Sequence, residues 1–188
     1  DRFIVSSVKE RLGESSVQLL HPSEMYALFK HYWWGHTDEL WIHRHTRYST
    51  FSNDVMRVGL DGLPDKFTAV KFYSSKCFPQ TAETQAFVGR LLDRLREERP
   101  VISLSTGFKF DDHEEWEPCS LPRQISHLLT PQNNLQIQSA IVSRATTFVG
   151  TYGGFSYLAP FFGVSSMGVY TDADAFSKSH LEMMRSVI

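Results

Sequence analysis

Chemistry-bearing residues collect in a few short stretches of this chain. Lys71 closes the apolar run Phe67-Thr68-Ala69-Val70 and is followed by Phe72-Tyr73-Ser74-Ser75. An ammonium buried without a partner is very costly, so Lys71 must reach water, a salt bridge or a bound anion. Ser74 and Ser75 add hydroxyl and N–H donors, which tilts the reading toward a phosphate. A second stretch, Thr106-Gly107-Phe108-Lys109-Phe110-Asp111-Asp112-His113, sets two carboxylates beside a histidine. Such groups bind metals or act as general acid and base. Neighbours in an extended loop point different ways, however, so one ion would not take all three. Glu114 and Glu115 continue the acidic run, and a solvated acidic loop is the ordinary alternative. A milder functional reading has Asp112 or His113 hydrogen-bonding a nucleoside or a sugar.

Asn133-Asn134, after Thr130-Pro131-Gln132, precedes a helical pattern. Helix N-capping explains one asparagine and leaves the other to reach into a cleft. The last stretch is Gly150-Thr151-Tyr152-Gly153-Gly154-Phe155-Ser156. Glycines let a backbone approach a ligand closely, and a helix that follows presents free N–H groups to an anion. A strand-to-helix turn with no ligand is the competing reading. No Gly-Lys-Ser/Thr completes a P-loop here, and the three-glycine dinucleotide fingerprint belongs on the first βα turn. A serine-hydrolase elbow, Gly-x-Ser-x-Gly, is absent from the sequence. His43 and His45 stand at i, i+2 without a third ligand in view, so no metal site is assigned.

The elements that must position these residues follow from periodicity. Residues 2–12 and 22–32 carry helical apolar spacing, and residues 33–66 carry no sustained period. From there the pattern is regular. Strands are expected over 67–73, 101–105, 125–129, 146–150 and 165–170. Helices are expected over 81–98, with Phe87, Val88, Leu91, Leu92 and Leu95 inward, over 133–145, and after Gly154. Pro160 should leave that last helix short or kinked. Strand–helix alternation at this spacing implies an α/β fold, a doubly wound, mostly parallel Rossmann-like sheet with helices on both faces. Ligands of such sheets bind at the carboxyl ends of the strands, where all four stretches lie.

The bulk composition sets outer bounds. Of 188 residues, 41% are hydrophobic and 21% charged, with a net charge of −2. That is ordinary globular composition, with no general pull toward nucleic acid or anionic lipid. No apolar run approaches the roughly 18–20 residues of a membrane helix. Cys77 and Cys119 lack the spacing of a zinc site or a disulfide framework, and a cytoplasmic, reducing compartment is the default.

Together, FTAVKFYSSKCFP (67–79), TGFKFDDHEEW (106–116), LTPQNNLQIQSAIVSRATTFVGTYGGFSYLAPFFGV (129–164) and SSMGVY (165–170) resemble the carboxy-terminal, donor-binding domain of bacterial GT-B-fold glycosyltransferases. The likeness is to the heptosyltransferase and polysaccharide-biosynthesis types, although the heptosyltransferase turn reads more like Asp-Thr-Gly-Pro. It implies a nucleotide-sugar-binding domain over 66–188, half of a GT-B fold, with 1–65 the tail of the acceptor domain and its connector. It further implies transfer of a sugar from a nucleotide-sugar to a saccharide or other acceptor, with no bound metal and no cofactor beyond the donor. Lys71, Ser74, Thr151, Tyr152, Gly153, Gly154 and Ser156 would meet the phosphates. Thr106, Asp112, His113, Asn133 and Asn134 would flank the nucleoside or sugar. His21, Glu24, Asp111 and Asp112 are candidates for a catalytic base. The alternatives are a non-catalytic nucleotide- or sugar-binding module and a sugar epimerase on a similar scaffold.

Overall fold

The computed structural model of the chain describes residues 60–107, 114–116 and 125–175, and the positions 32, 34–38, 40, 41, 44, 51 and 182. The chain divides into two compact units, Asp1–Arg47 and Tyr48–Ile188; the fold below is that of the second. Leu60 and Leu63, which the sequence reading assigns to a connector, pack in its core. The expected helices over 2–12 and 22–32 lie outside the described residues, apart from Tyr32, which is helical and buried.

Four parallel strands form the main sheet, β1 (Thr68–Lys71), β3 (Val101–Ser103), β5 (Thr147–Thr151) and β6 (Ser165–Val169), in the order β3-β1-β5-β6. Lys71 stands beside Gly150 in the β1–β5 register. A two-stranded antiparallel ribbon joins β2 (Tyr73–Ser74) to β4 (Glu114–Glu115). Among the described residues, three helices flank the sheet: α1 (Ala82–Glu98), α2 (Asn134–Arg144) and α3 (Gly154–Phe161). Alternation along β1 sends Phe67 and Ala69 into one core, with Ile137, Ala140 and Ile141 of α2 and Ala159 of α3. Val70 and Phe72 enter the other, with Val88 and Leu92 of α1. Helices therefore cover both faces, and the apolar, β-rich composition of the inner strands follows from burial on both sides. Among the described residues no helix is long and apolar enough to cross a membrane.

Two sequence expectations are corrected. Residues 125–129 are not a strand; Ser126–Leu128 is a turn of 3₁₀ helix closed by Leu128 N–H donating to the Ile125 carbonyl. Ile125 and Leu129 are buried while His127 is exposed. A strand would have turned all three to one face, so the i, i+4 spacing of the apolar pair is helical. Phe87 is 40% exposed rather than inward, because the buried stripe of α1 runs Thr84, Val88, Leu92 and leaves Phe87 at its edge. Thr81 caps this helix reciprocally with Thr84: the Thr84 N–H donates to Thr81 Oγ1 at 3.2 Å and the Thr81 N–H to Thr84 Oγ1 at 2.9 Å.

Pro160 sits near the end of α3, which spans only eight residues. It has no N–H to offer the Ser156 carbonyl; Ser166 Oγ of β6 donates to that carbonyl instead, at 2.8 Å. Gly163, at φ +74°, then closes the helix. Its N–H reaches the Pro160 carbonyl and the Val164 N–H reaches that of Ala159, the paired bonds of a Schellman ending. Ser166→Ala should lower stability by about 1 kcal/mol, read as a shift of the urea midpoint. The loss should shrink in a Pro160→Ala background, where a helical N–H can take the Ser156 carbonyl.

Candidate functional site

Strand order reverses between β1 and β5, and open parallel sheets bind ligands at the carboxyl ends of such a reversal. One wall of this position is set by Thr151, which is buried at the end of β5. Its Oγ1 accepts from the Tyr73 N–H and donates to the Tyr73 carbonyl, both at 3.0 Å. A side chain thus carries the ladder one step past the last strand pair and holds β2 beside β5. Tyr73 Oη donates back to the Tyr152 carbonyl at 3.2 Å. The Tyr152 ring stands edge-on to Tyr157 and Tyr170, with centroids 5.2 and 5.8 Å away. Burial, and next the bond and charge of Tyr152, push the Tyr157 phenol far above its ordinary range. Tyr157 therefore keeps its proton at neutral pH.

The glycine turn has distinct roles residue by residue. Gly150 and Gly153 are places where side chains do not fit: a Cβ on Gly150 would overlap the Lys71 carbonyl, and one on Gly153 would overlap the Tyr73 hydroxyl. Gly154 is exposed, and a Cβ there meets nothing. Ser156 is buried and turned onto Gly153, its Oγ accepting from the Gly153 N–H at 3.0 Å and donating to the Gly153 carbonyl at 2.7 Å. Ser74 Oγ accepts from the Gln80 N–H at 3.3 Å.

A polar network closes the other wall. Lys71 Nζ lies 2.8 Å from Glu115 Oε1, 2.8 Å from Gln138 Oε1 and 3.4 Å from the Leu104 carbonyl, and 5.2 Å from the centre of the Phe155 ring. Glu115 Oε2 accepts from the Thr106 N–H at 2.7 Å, the Gly107 N–H at 3.2 Å and Ser105 Oγ at 3.1 Å. Gln138, 2% exposed on α2, is oriented by Nε2 donating to Asn134 Oδ1 at 2.9 Å. Asn133 caps differently from expectation: Oδ1 accepts from the Thr130 N–H at 2.6 Å, ahead of the helix, and Nδ2 donates to the Leu128 carbonyl. Lys71, Thr106 and Asn134 are thereby brought into one cluster. Asp111, Asp112, His113, His21 and Glu24 lie outside the described residues. Among the described residues, no group of three His, Cys, Asp or Glu side chains converges.

Glu115 and Gln138 are members that the sequence reading missed. Glu115 reads there as part of a solvated acidic run, yet its side chain is only 17% exposed. Burial alone would raise its carboxyl; the hydrogen bond and charge of Lys71, then the bonds from Thr106, outweigh burial and hold it below the ordinary range. The available signal for Gln138 was its place among the apolar positions Ile137, Ala140 and Ile141.

Comparison of the chain with protein-family models, with curated proteins and with solved structures finds no match to any of them.

Two outcomes follow from this geometry. Gly153→Ala should cost about 1–3 kcal/mol by overpacking, measured by urea unfolding, and Tyr73→Phe should recover much of that loss by removing the hydroxyl. Because the Glu115 pKa is depressed by folding, its stabilisation is complete above about pH 4.3, the ordinary carboxylate value. It is lost as pH falls through the folded-state value. Acid unfolding curves should accordingly be shallower below that pH in Glu115→Gln than in the parent.

Proposed function

We propose that the chain is the donor-binding part of a nucleotide-sugar glycosyltransferase, with the nucleoside diphosphate seated across the carboxyl ends of β1 and β5. The observation that carries the reading is the coincidence of two features. The strand order reverses between β1 and β5, and Lys71, Tyr73, Thr151 and the Gly153-Gly154 turn into α3 lie at that reversal. Open parallel sheets bind ligands in such crevices. On this reading Gly154 leaves room for phosphate oxygens against the start of α3, and the Lys71 ammonium, paired with Glu115, stands on the opposite side. Preorganised donors of this kind stabilise the charge that gathers on the departing nucleoside diphosphate as the glycosidic bond breaks. Tyr73, Tyr152 and Tyr170, all half-buried, offer ring surface to a base or a sugar. The sugar passes to a saccharide or other acceptor, the protein's own donors meet the diphosphate, and the compartment is cytoplasmic, where nucleotide-sugars are made.

A second reading, a nucleotide-binding module without turnover, draws support from the engagement of Lys71 with Glu115, which already neutralises its charge. Release of free nucleoside diphosphate from a nucleotide-sugar in the presence of acceptor separates the two.

Gly154→Leu is the discriminating variant. A side chain there has open space and replaces a poor helix former with a good one, so unfolding in plain buffer should be unchanged or improved. Stabilisation of the parent by one nucleoside diphosphate at millimolar concentration should vanish in the variant. A parent that no nucleoside diphosphate stabilises would overturn the proposal.

A further inference from the structure

The groups around Glu115 form an anion site in their own right. Thr106 and Gly107 present successive N–H groups to one oxygen, at 2.7 and 3.2 Å. Gly107 is held at φ +68°, the left-handed conformation that lets neighbouring N–H groups converge as an anion-binding nest. Ser105 adds a hydroxyl at 3.1 Å, and Lys71 adds a full charge at 2.8 Å on the other oxygen. Gln138 and Asn134 fix the direction of the Lys71 ammonium. Hydroxyl, paired amides and ammonium are what a phosphate group requires, and here they converge on a carboxylate of the same chain.

That carboxylate is carried by a slender element. β4 is two residues long and pairs with β2 alone, through Tyr73↔Glu115 and Ser74↔Glu114. Trp116 anchors it, with its N–H donating to the Phe72 carbonyl at 3.0 Å and its ring packed 5.1 Å from that of Phe78.

We infer that Glu115 is a tethered stand-in for a phosphate group: it occupies a built phosphate site at the carboxyl ends of β1 and β3, and a ligand phosphate displaces it. The inference deepens the donor-binding reading and rests on it for the identity of the natural ligand, although the site itself is tested without nucleotide. Displacement exchanges one anion for another on the same donors, so no buried cation is left unpaired at the end of the exchange. The Glu115 side chain, 17% exposed, moves to water, where a carboxylate is well solvated.

Glu115→Ala removes the stand-in and leaves the donors. Inorganic phosphate is the probe, titrated against the full chain with chloride at matched ionic strength as control. In Glu115→Ala, millimolar phosphate should raise the melting temperature by several degrees. The parent should respond at least tenfold more weakly, because its own carboxylate competes. Lys71→Met added to Glu115→Ala should abolish the effect. Acetate should rescue Glu115→Ala in part, since it replaces the missing group. If Glu115→Ala folds and phosphate stabilises it no more than chloride does, the inference is overturned. Should it fold only from refolding mixtures that contain phosphate, that too supports the site; failure to fold with or without phosphate overturns it. Nucleotide binding that is lost in Gly154→Leu would stand even if phosphate fails here, so the two readings fail separately.

Discussion

The pairing of Lys71 with Glu115 is the constraint around which the carboxyl end of the sheet is arranged. β1 is the strand from which the chain builds outward in both directions, and its last residue is a lysine only 12% exposed. An ammonium so placed demands an anion and further acceptors. The structure supplies them from separate regions of sequence: Glu115 from β4, Gln138 from α2 and the Leu104 carbonyl beyond β3. Replacing such a pair by apolar groups is often harmless, whereas removing one partner is not. The pair therefore serves as a fixed point. It sets where the ribbon lies, because a one-residue slip of β4 would turn Glu115 to the opposite face.

On the other side of β1 the same logic is served by neutral groups. Thr151 replaces a missing ladder step with its hydroxyl, and Tyr73 spans from that step to the Tyr152 carbonyl. Gly153 is then required by contact with a ring, not by backbone conformation: its φ of 164° is extended. A glycine that looks like a ligand cradle can thus be a socket for the protein's own tyrosine, while its neighbour Gly154 faces open space. Adjacent glycines in one turn have different physical reasons.

The helix that follows shows how a local conflict is absorbed. Pro160 breaks the hydrogen-bond series of α3, and the orphaned Ser156 carbonyl is met from the next strand. Ser156 itself is turned back onto Gly153. The short helix, its serine cap and β6 are one unit, and the orientation of the turn toward the crevice depends on all three.

Element type and order were largely legible in the sequence because they depend on local periodicity and turn chemistry: the strand before Lys71, the helix over 81–98, the turn at Gly153-Gly154 and the short helix with Pro160. The misreading at 125–129 arose where two apolar residues at i, i+4 fit either period. Partnership was not legible. Asn134 and Gln138 meet as an i, i+4 pair on α2, but nothing local in Lys71, Glu115 and Gln138 says that they meet, because the separations of 44 and 67 residues from Lys71 are closed only by the tertiary fold. An acidic run is solvated by default, and burial beside a cation is decided by the tertiary fold. Residue identity determined which groups needed partners; the packed sheet decided which partners they obtained.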